Sequence, residues 1–488
     1  MSRPAPVRAP SGVRGLDEIL DGGFIAGRAY LLTGPPGCGK TTVGWHFLTA
    51  GRAAGEPVLF ITLGESEPEL LENASFLGFD THGVEFCDLS PASDLFEEVR
   101  SYDIFPAAEV ELEPTTAKLM AAVQAVRPAR VFIDSMTALR YLFKDASDFR
   151  RQTLAFLRYI KQQGGCVLMT SETSAEAPDD DLRFLSDGVI EFAPSERARS
   201  LTVAKFRGSN YRAGEHTLRL GPDGATVFPR LLPETHAEAF RSDVLPWGVT
   251  ELDAMTSGGL ERGTVTLISG PSGVGKSTLG AQFMKEAAAR GERSAIYTFD
   301  ERVSTLTERC ESLNIPVSEM VERGTLSIVA VEALRYSPDE FASLVRRDVE
   351  EFNTKIVMID SISGYRMSVS EQHLNERLHA LCRYLQNVGV TVILVNELLK
   401  INEFAITDIG ITYLADNVIL LRYVERRNGG QAEMGRVVGV LKKRLSGFEK
   451  TPRYFEITAR GLIFGAAVSH LGGLLGISHD GTLEPVTG

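Results

Sequence analysis

The sequence has few cysteines, and none of them lies in a pattern that binds metal or forms a redox motif. The five cysteines are scattered over the chain, with no CxxC spacing: Cys38, Cys87, Cys166, Cys310 and Cys382. A disulfide framework or a zinc site would show cysteines at short, regular spacings. We therefore expect free thiols in a reducing cytoplasm.

Long hydrophobic runs and a targeting pattern are also absent. No apolar run reaches the ~18 residues of a membrane-spanning helix. The first residues, "MSRPAPVRAPSG", are proline-rich and lack the apolar core of a signal peptide. These features predict a cytoplasmic location and no membrane partner.

The chain lacks the positive charge of a nucleic-acid-binding protein. Its formal net charge is -13, whereas a broad nucleic-acid surface is normally basic. A local basic channel is still compatible with this balance.

With 488 residues, of which 43% are hydrophobic, the chain is long enough for two or three domains with sizeable cores.

The sequence contains the same glycine-rich motif twice. Residues 34–42 read "GPPGCGKTT" and residues 270–278 read "GPSGVGKST", so that the two lysines lie 236 positions apart (276 − 40). The preceding stretch repeats at the same spacing, since "GVRGLDEILDGGF" matches "GVTELDAMTSGGL". The pattern predicts a tandem duplication of a whole domain.

Apolar stretches alternate with helical ones in both halves. "AYLLTG", "VLFITL", "RVFID" and "CVLMTSE" predict strands in the first half, and "TVTLISG", "SAIYTF", "KIVMID" and "VTVILVNE" are their counterparts. This alternation favours an α/β fold in which helices flank a mainly parallel sheet. We expect domains over residues 1–232 and 241–470, a polar linker near residues 231–243, and a mobile tail over residues 471–488.

The two motifs match the GxxxxGK[ST] pattern of P-loops, each after a strand and before a helix. The loop would surround the phosphates of ATP with backbone N–H groups, and its lysine would contact the β- and γ-phosphates. The predicted nucleotide-binding residues are Gly34, Gly37, Gly39, Lys40, Thr41 and Thr42 in the first half, and Gly270, Gly273, Gly275, Lys276, Ser277 and Thr278 in the second. The alternative is a glycine-rich turn that binds nothing.

Each half has one acid that suits magnesium. Asp134 and Asp360 each end an apolar strand and precede a serine. At that position a carboxylate reaches Mg²⁺ directly or through water, together with the P-loop hydroxyl of Thr41 or Ser277. The alternative is an aspartate that caps a strand-to-loop junction.

Other acids follow the second strand of each half. Glu65 in the first half, and Asp300 and Glu301 in the second, are candidates for the base that activates a hydroxyl or water beside the γ-phosphate. Ordinary solvated loop acids are the alternative.

Two basic pairs occur late in the halves. Lys205 and Arg207 lie in "KFRGS", and Lys442 and Arg444 lie in "KKRLS". Residues two apart on a strand share a face, so each pair could reach a neighbouring subunit's γ-phosphate. A solvated basic strand is the alternative.

Taken together, these motifs resemble the KaiC family, circadian-clock proteins that form a branch of the RecA-like ATPases. The resemblance covers residues 12 to about 465, and its most specific part is "EFAITDIGITYLADNVILLRYVE" at residues 403–425. It implies two tandem RecA-like P-loop NTPase domains, ATP and Mg²⁺ as cofactors, and a double-ring homohexamer with nucleotide between subunits.

The resemblance also implies a division of roles. The first ring would be a slow ATPase that can receive a KaiB-like clock partner. The second would be an autokinase that phosphorylates Thr412 and Tyr413, with Asp300 and Glu301 as its paired acids. The basic pairs Lys205–Arg207 and Lys442–Arg444 would act across subunits.

Four positions depart from the family pattern. Gly64 replaces one acid of the first ring, Asp300 is one methylene shorter than glutamate, and the acceptor pair is Thr-Tyr rather than Ser-Thr. We expect Thr412 to be the main acceptor, because the longer Tyr413 suits a site built for a short hydroxyl poorly. The sequence after the last strand is short, which argues against a KaiA-type partner.

Two other functions are compatible with the motifs. One is a nucleotide-gated hexameric scaffold with little catalysis, which Gly64 favours. The other is a RecA-like DNA-dependent ATPase, which the acidic charge disfavours and which a DNA-stimulated ATPase assay would detect.

Overall fold

The structure is a computed structural model of the 488-residue chain. It describes residues 6–90, 112–143, 145–172, 178–194, 199–237, 239–332, 335–368, 374–398, 413–428 and 431–468. The chain divides into two compact units at residue 230.

The first unit is built on one large sheet. Its strands are β1 (Arg8–Ala9), β2 (Phe24–Ile25), β3 (Ala29–Thr33), β4 (Val58–Thr62), β5 (Glu85–Asp88), β6 (Arg130–Asp134), β7 (Cys166–Ser171), β8 (Gly188–Pro194), β9 (Arg199–Phe206), β10 (Glu215–Gly221) and β11 (Gly224–Phe228). Its helices are α1 (Leu16–Ile19), α2 (Lys40–Ala53), α3 (Glu67–Phe76), α4 (Leu112–Val126), α5 (Met136–Arg140), α6 (Ala146–Gln162) and α7 (Asp180–Leu185). Among the described residues the sheet has nine strands, in the order β11-β10-β9-β8-β3-β7-β6-β4-β5.

The second unit repeats this architecture. Its strands are β12 (Val244–Leu245), β13 (Leu260–Glu261), β14 (Val265–Gly270), β15 (Ser294–Thr298), β16 (Leu326–Ala330), β17 (Ile356–Asp360), β18 (Thr391–Glu397), β19 (Asn417–Asn428), β20 (Gln431–Lys443), β21 (Arg453–Thr458) and β22 (Gly461–Ala467). Its helices are α8 (Thr250–Met255), α9 (Lys276–Ala289), α10 (Val303–Glu311), α11 (Val317–Glu322), α12 (Pro338–Glu350), α13 (Ile362–Ser368) and α14 (Leu374–Asn387). Within the described part of the chain its large sheet also has nine strands, in the order β16-β15-β17-β18-β14-β19-β20-β21-β22.

Both sheets are parallel on one side and antiparallel on the other. In the first unit β5, β4, β6, β7, β3 and β8 run parallel, and β8 to β11 pair as antiparallel neighbours. The second unit has the same arrangement, with β19 as the strand where the direction of pairing changes. The predicted α/β class, with a mainly parallel sheet in each of two tandem domains, is confirmed.

The parallel strands are apolar on both faces because helices cover both. In β4, Phe60 packs into one core cluster with Val43 of α2, while Leu59 and Ile61 pack into the cluster on the other face. This alternation follows from the two-residue period of a strand. It explains why the central strands read as continuous apolar runs.

The segment predicted as a linker packs on the second unit. Leu231 is buried in a core cluster of that unit. The side-chain amide of Asn387 donates to the Pro233 carbonyl at 2.8 Å, and the His236 ring lies 5.1 Å from the ring of Tyr384. Residues 231–236 are therefore tied to α14 rather than free.

One buried contact anchors the P-loop helix of the first unit. The Nε2 atom of His46, in α2, accepts a hydrogen bond from the backbone N–H of Ala225 in β11 at 2.8 Å, and its ring packs edge-on against Phe79. Burial lowers the pKa of His46, and a backbone hydrogen bond with Gly12 opposes this effect. The histidine is therefore neutral when it holds this contact.

The second unit contains a buried ion pair at the end of β20. The Lys443 Nζ atom lies 2.8 Å from the Glu261 carboxylate, and the two side chains are 1% and 8% exposed. The corresponding positions of the first unit are apolar: Phe206 stacks on Tyr30, beside the buried Ile25. The duplicated fold thus accommodates either an ion pair or an apolar cluster here.

Among the described helices, none is both long and apolar enough to cross a membrane.

Candidate nucleotide sites

The two P-loops lie where β3 and β14 end and helices α2 and α9 begin. The residue before each helix, Gly39 or Gly275, has φ of 99° or 114°, in the left-handed region. An added Cβ would lie 2.9 Å from Leu220 at the first position and 2.6 Å from Ile457 at the second. The backbone conformation therefore favours glycine strongly, as the motif predicts, and a larger residue would also displace the end of a side chain.

The P-loop lysines lie inside their loops. The Lys40 Nζ atom donates to the carbonyls of Gly34 at 2.7 Å and Pro35 at 2.9 Å, and the Lys276 Nζ atom donates to the carbonyl of Pro271 at 2.8 Å. Both lysines are buried. Burial lowers the pKa of Lys276, and two nearby carboxylates act in the opposite direction. Each cation is thus held where the helix N-terminus and the loop N–H groups favour phosphate.

The predicted hydroxyl–carboxylate pairs form in both halves. The Thr41 hydroxyl donates to the Asp134 carboxylate at 2.6 Å, and Thr170 donates to the other oxygen at 2.5 Å. In the second half, burial raises the pKa of Asp360, and a hydrogen bond from the Ser277 hydroxyl opposes that rise.

This donor set fits Mg²⁺. The ion is usually held by one or two protein oxygens together with substrate phosphates, rather than by a cage of side chains. The described residues contain no group of three or more His, Cys, Asp or Glu that could hold a metal ion. Thr41 with Asp134, and Ser277 with Asp360, are the residues that would hold magnesium beside a nucleotide.

The loop after the second strand lies beside the predicted magnesium-binding acid, Asp134 or Asp360, in both halves. The backbone N–H of Leu63 donates to the Asp134 carbonyl at 2.9 Å, and that of Phe299 donates to the Asp360 carbonyl at 2.8 Å. The next position in each loop therefore lies close to that acid. That position is 64 in the first half and 300 in the second.

In the second half a carboxylate occupies this place. The Ser361 hydroxyl donates to the Asp300 carboxylate at 2.6 Å. The carboxylate lies against Gly364, where an added Cβ would be 2.7 Å from one of its oxygens. The first half has Gly64 and, at the position that corresponds to Gly364, Ala138. The first half thus lacks the acid, and it has a methyl group at the position that corresponds to Gly364.

The neighbouring acids also have different partners. Glu301 accepts two hydrogen bonds from the Arg309 guanidinium, at 2.6 Å and 3.3 Å. Glu65 is exposed and accepts one hydrogen bond from the side-chain amide of Asn73 at 3.1 Å. Arg309 was missed by the sequence reasoning, although a comparison of the two halves position by position would have shown an arginine opposite an asparagine.

A further residue missed from the sequence contacts the first P-loop. The Arg199 Nε atom, at the start of β9, donates to the Gly37 carbonyl at 3.0 Å. No local motif marks this residue, because the contact depends on the antiparallel strands folding back toward the loop.

The basic pairs have partners in their own chain. The Lys205 Nζ atom donates to the carbonyls of Arg183 and Ser186, both at 2.6 Å, and Lys442 donates to the Ala415 carbonyl at 2.5 Å. Burial lowers the pKa of both lysines, and the neighbouring arginine lowers it further. The lysines therefore fasten the strand pair to the segment that precedes β8 and β19.

The two arginines of the pairs lie at the surface. Arg207 is exposed, and Arg444 is 48% exposed in an ion pair with Asp416 at 3.0 Å. The role of the pairs across a subunit boundary stays a prediction.

Of the two predicted phosphoacceptors, the structure describes one. Tyr413 is 60% exposed, and its ring lies 5.9 Å from the ring of His379. Thr412 lies outside the described residues.

Comparison with known proteins agrees with this doubled arrangement. The model of the family "ATPase: KaiC" matches residues 9–231 and again residues 245–468. The chain belongs to the KaiC ATPase family. The two matched ranges cover both P-loops, both predicted magnesium-binding acids and both basic pairs.

Curated KaiC proteins match over nearly the whole chain. The circadian clock oscillator protein KaiC of Prochlorococcus marinus (strain MIT 9313) is 28% identical over 465 residues, which cover 93% of this chain and 92% of the relative. KaiC of Synechococcus elongatus is 28% identical over 466 residues, with 92% and 87% covered. KaiC of Nostoc sp. (strain PCC 7120) is 27% identical with the same coverage. The resemblance inferred from the motifs is confirmed.

Proposed function

We propose that this chain is an ATP-binding ATPase and serine/threonine autokinase that works as a homohexameric signalling or clock protein. The main observation in support of the proposal is the set of groups at the second site. There a buried P-loop lysine, a hydroxyl–carboxylate pair and the acids Asp300 and Glu301 meet at the same edge of one sheet. Ligands bind at this edge in open α/β folds.

Each group at the second site has a role in phosphate transfer. Lys276 binds the β- and γ-phosphates, and Asp300 accepts the proton of the attacking hydroxyl. Ser277 and Asp360 would hold magnesium, which when bound would neutralise charge on the phosphates. Lys442 and Arg444 of a neighbouring subunit stabilise the transferring phosphoryl group.

We propose Thr412 as the main acceptor. Its hydroxyl is carried on a short side chain, whereas the Tyr413 ring is exposed and leans toward His379. The test is to incubate the protein with ATP and Mg²⁺ and to map phosphopeptides in the wild type, Thr412→Ala and Tyr413→Phe. Phosphate that persists in Thr412→Ala and disappears in Tyr413→Phe would reverse the assignment.

Assembly into a hexamer is supported by matching exposed apolar residues in the two halves. Tyr141 and Phe184 are 69% and 63% exposed, and the corresponding Met367 and Tyr413 are 71% and 60% exposed. Large exposed apolar side chains mark a contact surface when they form a contiguous patch, and the same two positions carry them in both halves. Light scattering should show a hexamer with ATP and Mg²⁺, because a ligand that completes a site between subunits stabilises the ring. A monomer under every nucleotide condition would contradict the proposal.

The second candidate function is a nucleotide-gated scaffold, which one observation favours for the first half. Position 64 has no side chain, and Glu65 is an exposed acid bound to a neutral amide. If Glu65 nevertheless serves as base, Glu65→Gln should sharply lower the ATPase rate of Lys276→Ala protein. An unchanged rate would assign the first half to nucleotide holding.

A further inference from the structure

One arginine links the acid loop of the second site to its P-loop helix. The Arg309 guanidinium donates to both carboxylate oxygens of Glu301, at 2.6 Å and 3.3 Å, and its third nitrogen donates to the Thr278 hydroxyl at 3.0 Å. Glu301 and Arg309 are 27% and 33% exposed, so the pair is partly shielded from water. Two parallel charge-assisted hydrogen bonds fix the geometry as well as the charge.

The first half lacks this link. The position that corresponds to Arg309 is Asn73 (309 − 236), in helix α3. Its amide donates one neutral hydrogen bond to Glu65 at 3.1 Å. A neutral amide on a shorter side chain holds the acid with one bond where the guanidinium uses two, and the residues described here show no Asn73 contact to Thr42, the counterpart of Thr278.

The link gives the two acids of the second site different partners. Two charge-assisted hydrogen bonds from one guanidinium fix the direction of the Glu301 carboxylate. Asp300, by contrast, is bound by the neutral hydroxyl of Ser361. The second site therefore has one acid that an arginine fixes and one that is bound by a hydroxyl.

The tied acid also holds its neighbour in place. The Thr298 hydroxyl contacts both the carbonyl and the N–H of Glu301, at 3.0 Å and 3.3 Å. Arg309 binds the Glu301 side chain and Ser361 binds the Asp300 side chain, so both acids of the loop are fixed. Displacement of a catalytic group by about 1 Å can cost about 10²-fold in rate.

We propose that Arg309 is a positioning residue of the second nucleotide site, which fastens Glu301 to the P-loop helix and leaves Asp300 as the base. The proposal rests on the proposed function of the second site. Arg309 thus distinguishes the two halves although it lies outside the P-loop, the magnesium-binding pair and the acid pair.

The test uses the part of ATP turnover that disappears when Lys276→Ala is added to each variant. Arg309→Asn, which copies the first half, should lower kcat by about 10- to 100-fold with a nearly unchanged KM for ATP. Arg309→Lys should recover part of the loss, because it keeps the charge but not the two parallel hydrogen bonds. Melting temperatures close to that of the wild type would show that the variants fold.

Two comparisons decide the assignment of roles. Asp300→Asn should cost about 10²- to 10⁴-fold in kcat, and Glu301→Gln should cost no more than Arg309→Asn. Because Arg309 acts through Glu301, the Arg309→Asn, Glu301→Gln double variant should be no slower than the slower single variant.

Each contrary result has a distinct meaning. An unchanged or higher kcat in Arg309→Asn, or a loss in Glu301→Gln as large as in Asp300→Asn, would overturn this proposal alone. Wild-type protein without any Lys276-dependent turnover would overturn the proposed function, and the positioning role with it.

Discussion

A carboxylate placed at position 64 should raise ATP hydrolysis in the first half, provided that Ala138 is replaced at the same time. A Cβ at Gly64 would meet no atom within 4 Å, and the backbone there is outside the left-handed region. The Ser135 hydroxyl, the counterpart of Ser361, accepts from the Ala138 N–H at 3.3 Å and still has its own proton to donate. Gly64→Asp with Ala138→Gly should thus rebuild the arrangement seen at Asp300.

The size of the expected rate gain follows from the contribution of a positioned base and from the geometry of the second half. A positioned base contributes about 10²- to 10⁴-fold in rate, so the double variant should gain about 10²-fold if its parent site lacks a base. In the second half an added Cβ at Gly364 would lie 2.7 Å from the carboxylate oxygen and 2.5 Å from the Phe299 Cβ. Overpacking of this kind costs about 1–3 kcal/mol, which corresponds to about 5- to 150-fold in rate if the strain falls on the active geometry. Gly64→Asp alone should therefore gain much less than the double variant.

The assay is steady-state ATP hydrolysis in a Lys276→Ala background, which leaves the first site as the source of turnover. Gly64→Asn with Ala138→Gly is the matched control, since its amide has the shape of the carboxylate but cannot accept the proton. Nucleotide affinity is measured alongside, to show that the site still binds ATP. If the aspartate double variant binds ATP but hydrolyses it no faster than the asparagine control, position 64 is not where the base acts.

Because the acids beside the two P-loops differ, Lys40→Ala should mainly reduce assembly in light scattering, whereas Lys276→Ala should abolish phosphate transfer. Identical effects of the two variants on both measurements would contradict this division. Lys443→Met should lower the free energy of unfolding of the second half by about 3–5 kcal/mol, since Glu261 would be left as an unpaired buried charge. Urea unfolding should show most of that loss recovered when Glu261→Leu is added, and an equal loss in the single and double variants would speak against the ion pair. The folded-state pKa of His46 is lowered. The stabilisation that neutral His46 provides is therefore complete above the unfolded pKa of about 6.5, and it is lost as the pH falls through the folded-state pKa. The melting temperature should thus fall more between about pH 7.5 and about pH 5.5 in the wild type than in His46→Gln, and parallel falls would refute this role.

The sequence predicts the fold and the loops well because both depend on short-range patterns. Continuous apolar runs predict buried parallel strands, and the glycine spacing predicts a turn that only Gly39 and Gly275 can make. Placement of the acids at strand ends also follows, since parallel strands end at one edge of the sheet.

Other parts of the site depend on contacts that no local pattern contains. Arg309 is eight positions beyond Glu301, and its bond to Thr278 exists only because α10 packs beside α9. The space beside Asp300 comes from Gly364, and no local sequence pattern indicates that this glycine differs from other residues of its helix. Alternation along β20 separates Lys442 from Lys443 but does not tell which of them faces the core. Comparison of the halves would have indicated these positions as differences, though not their geometry.

The tandem arrangement of two sheets with one strand order has a consequence for how the two sites can be balanced. Since both are parts of one polypeptide, every translated molecule carries them in a ratio of one to one, whatever the level of expression. A cell cannot adjust their relative output by making more of one than of the other. The balance between the two sites therefore depends on the side chains of each site. This chain differs between its halves at Gly64 and Ala138 in the first, and at Asp300, Gly364 and Arg309 in the second.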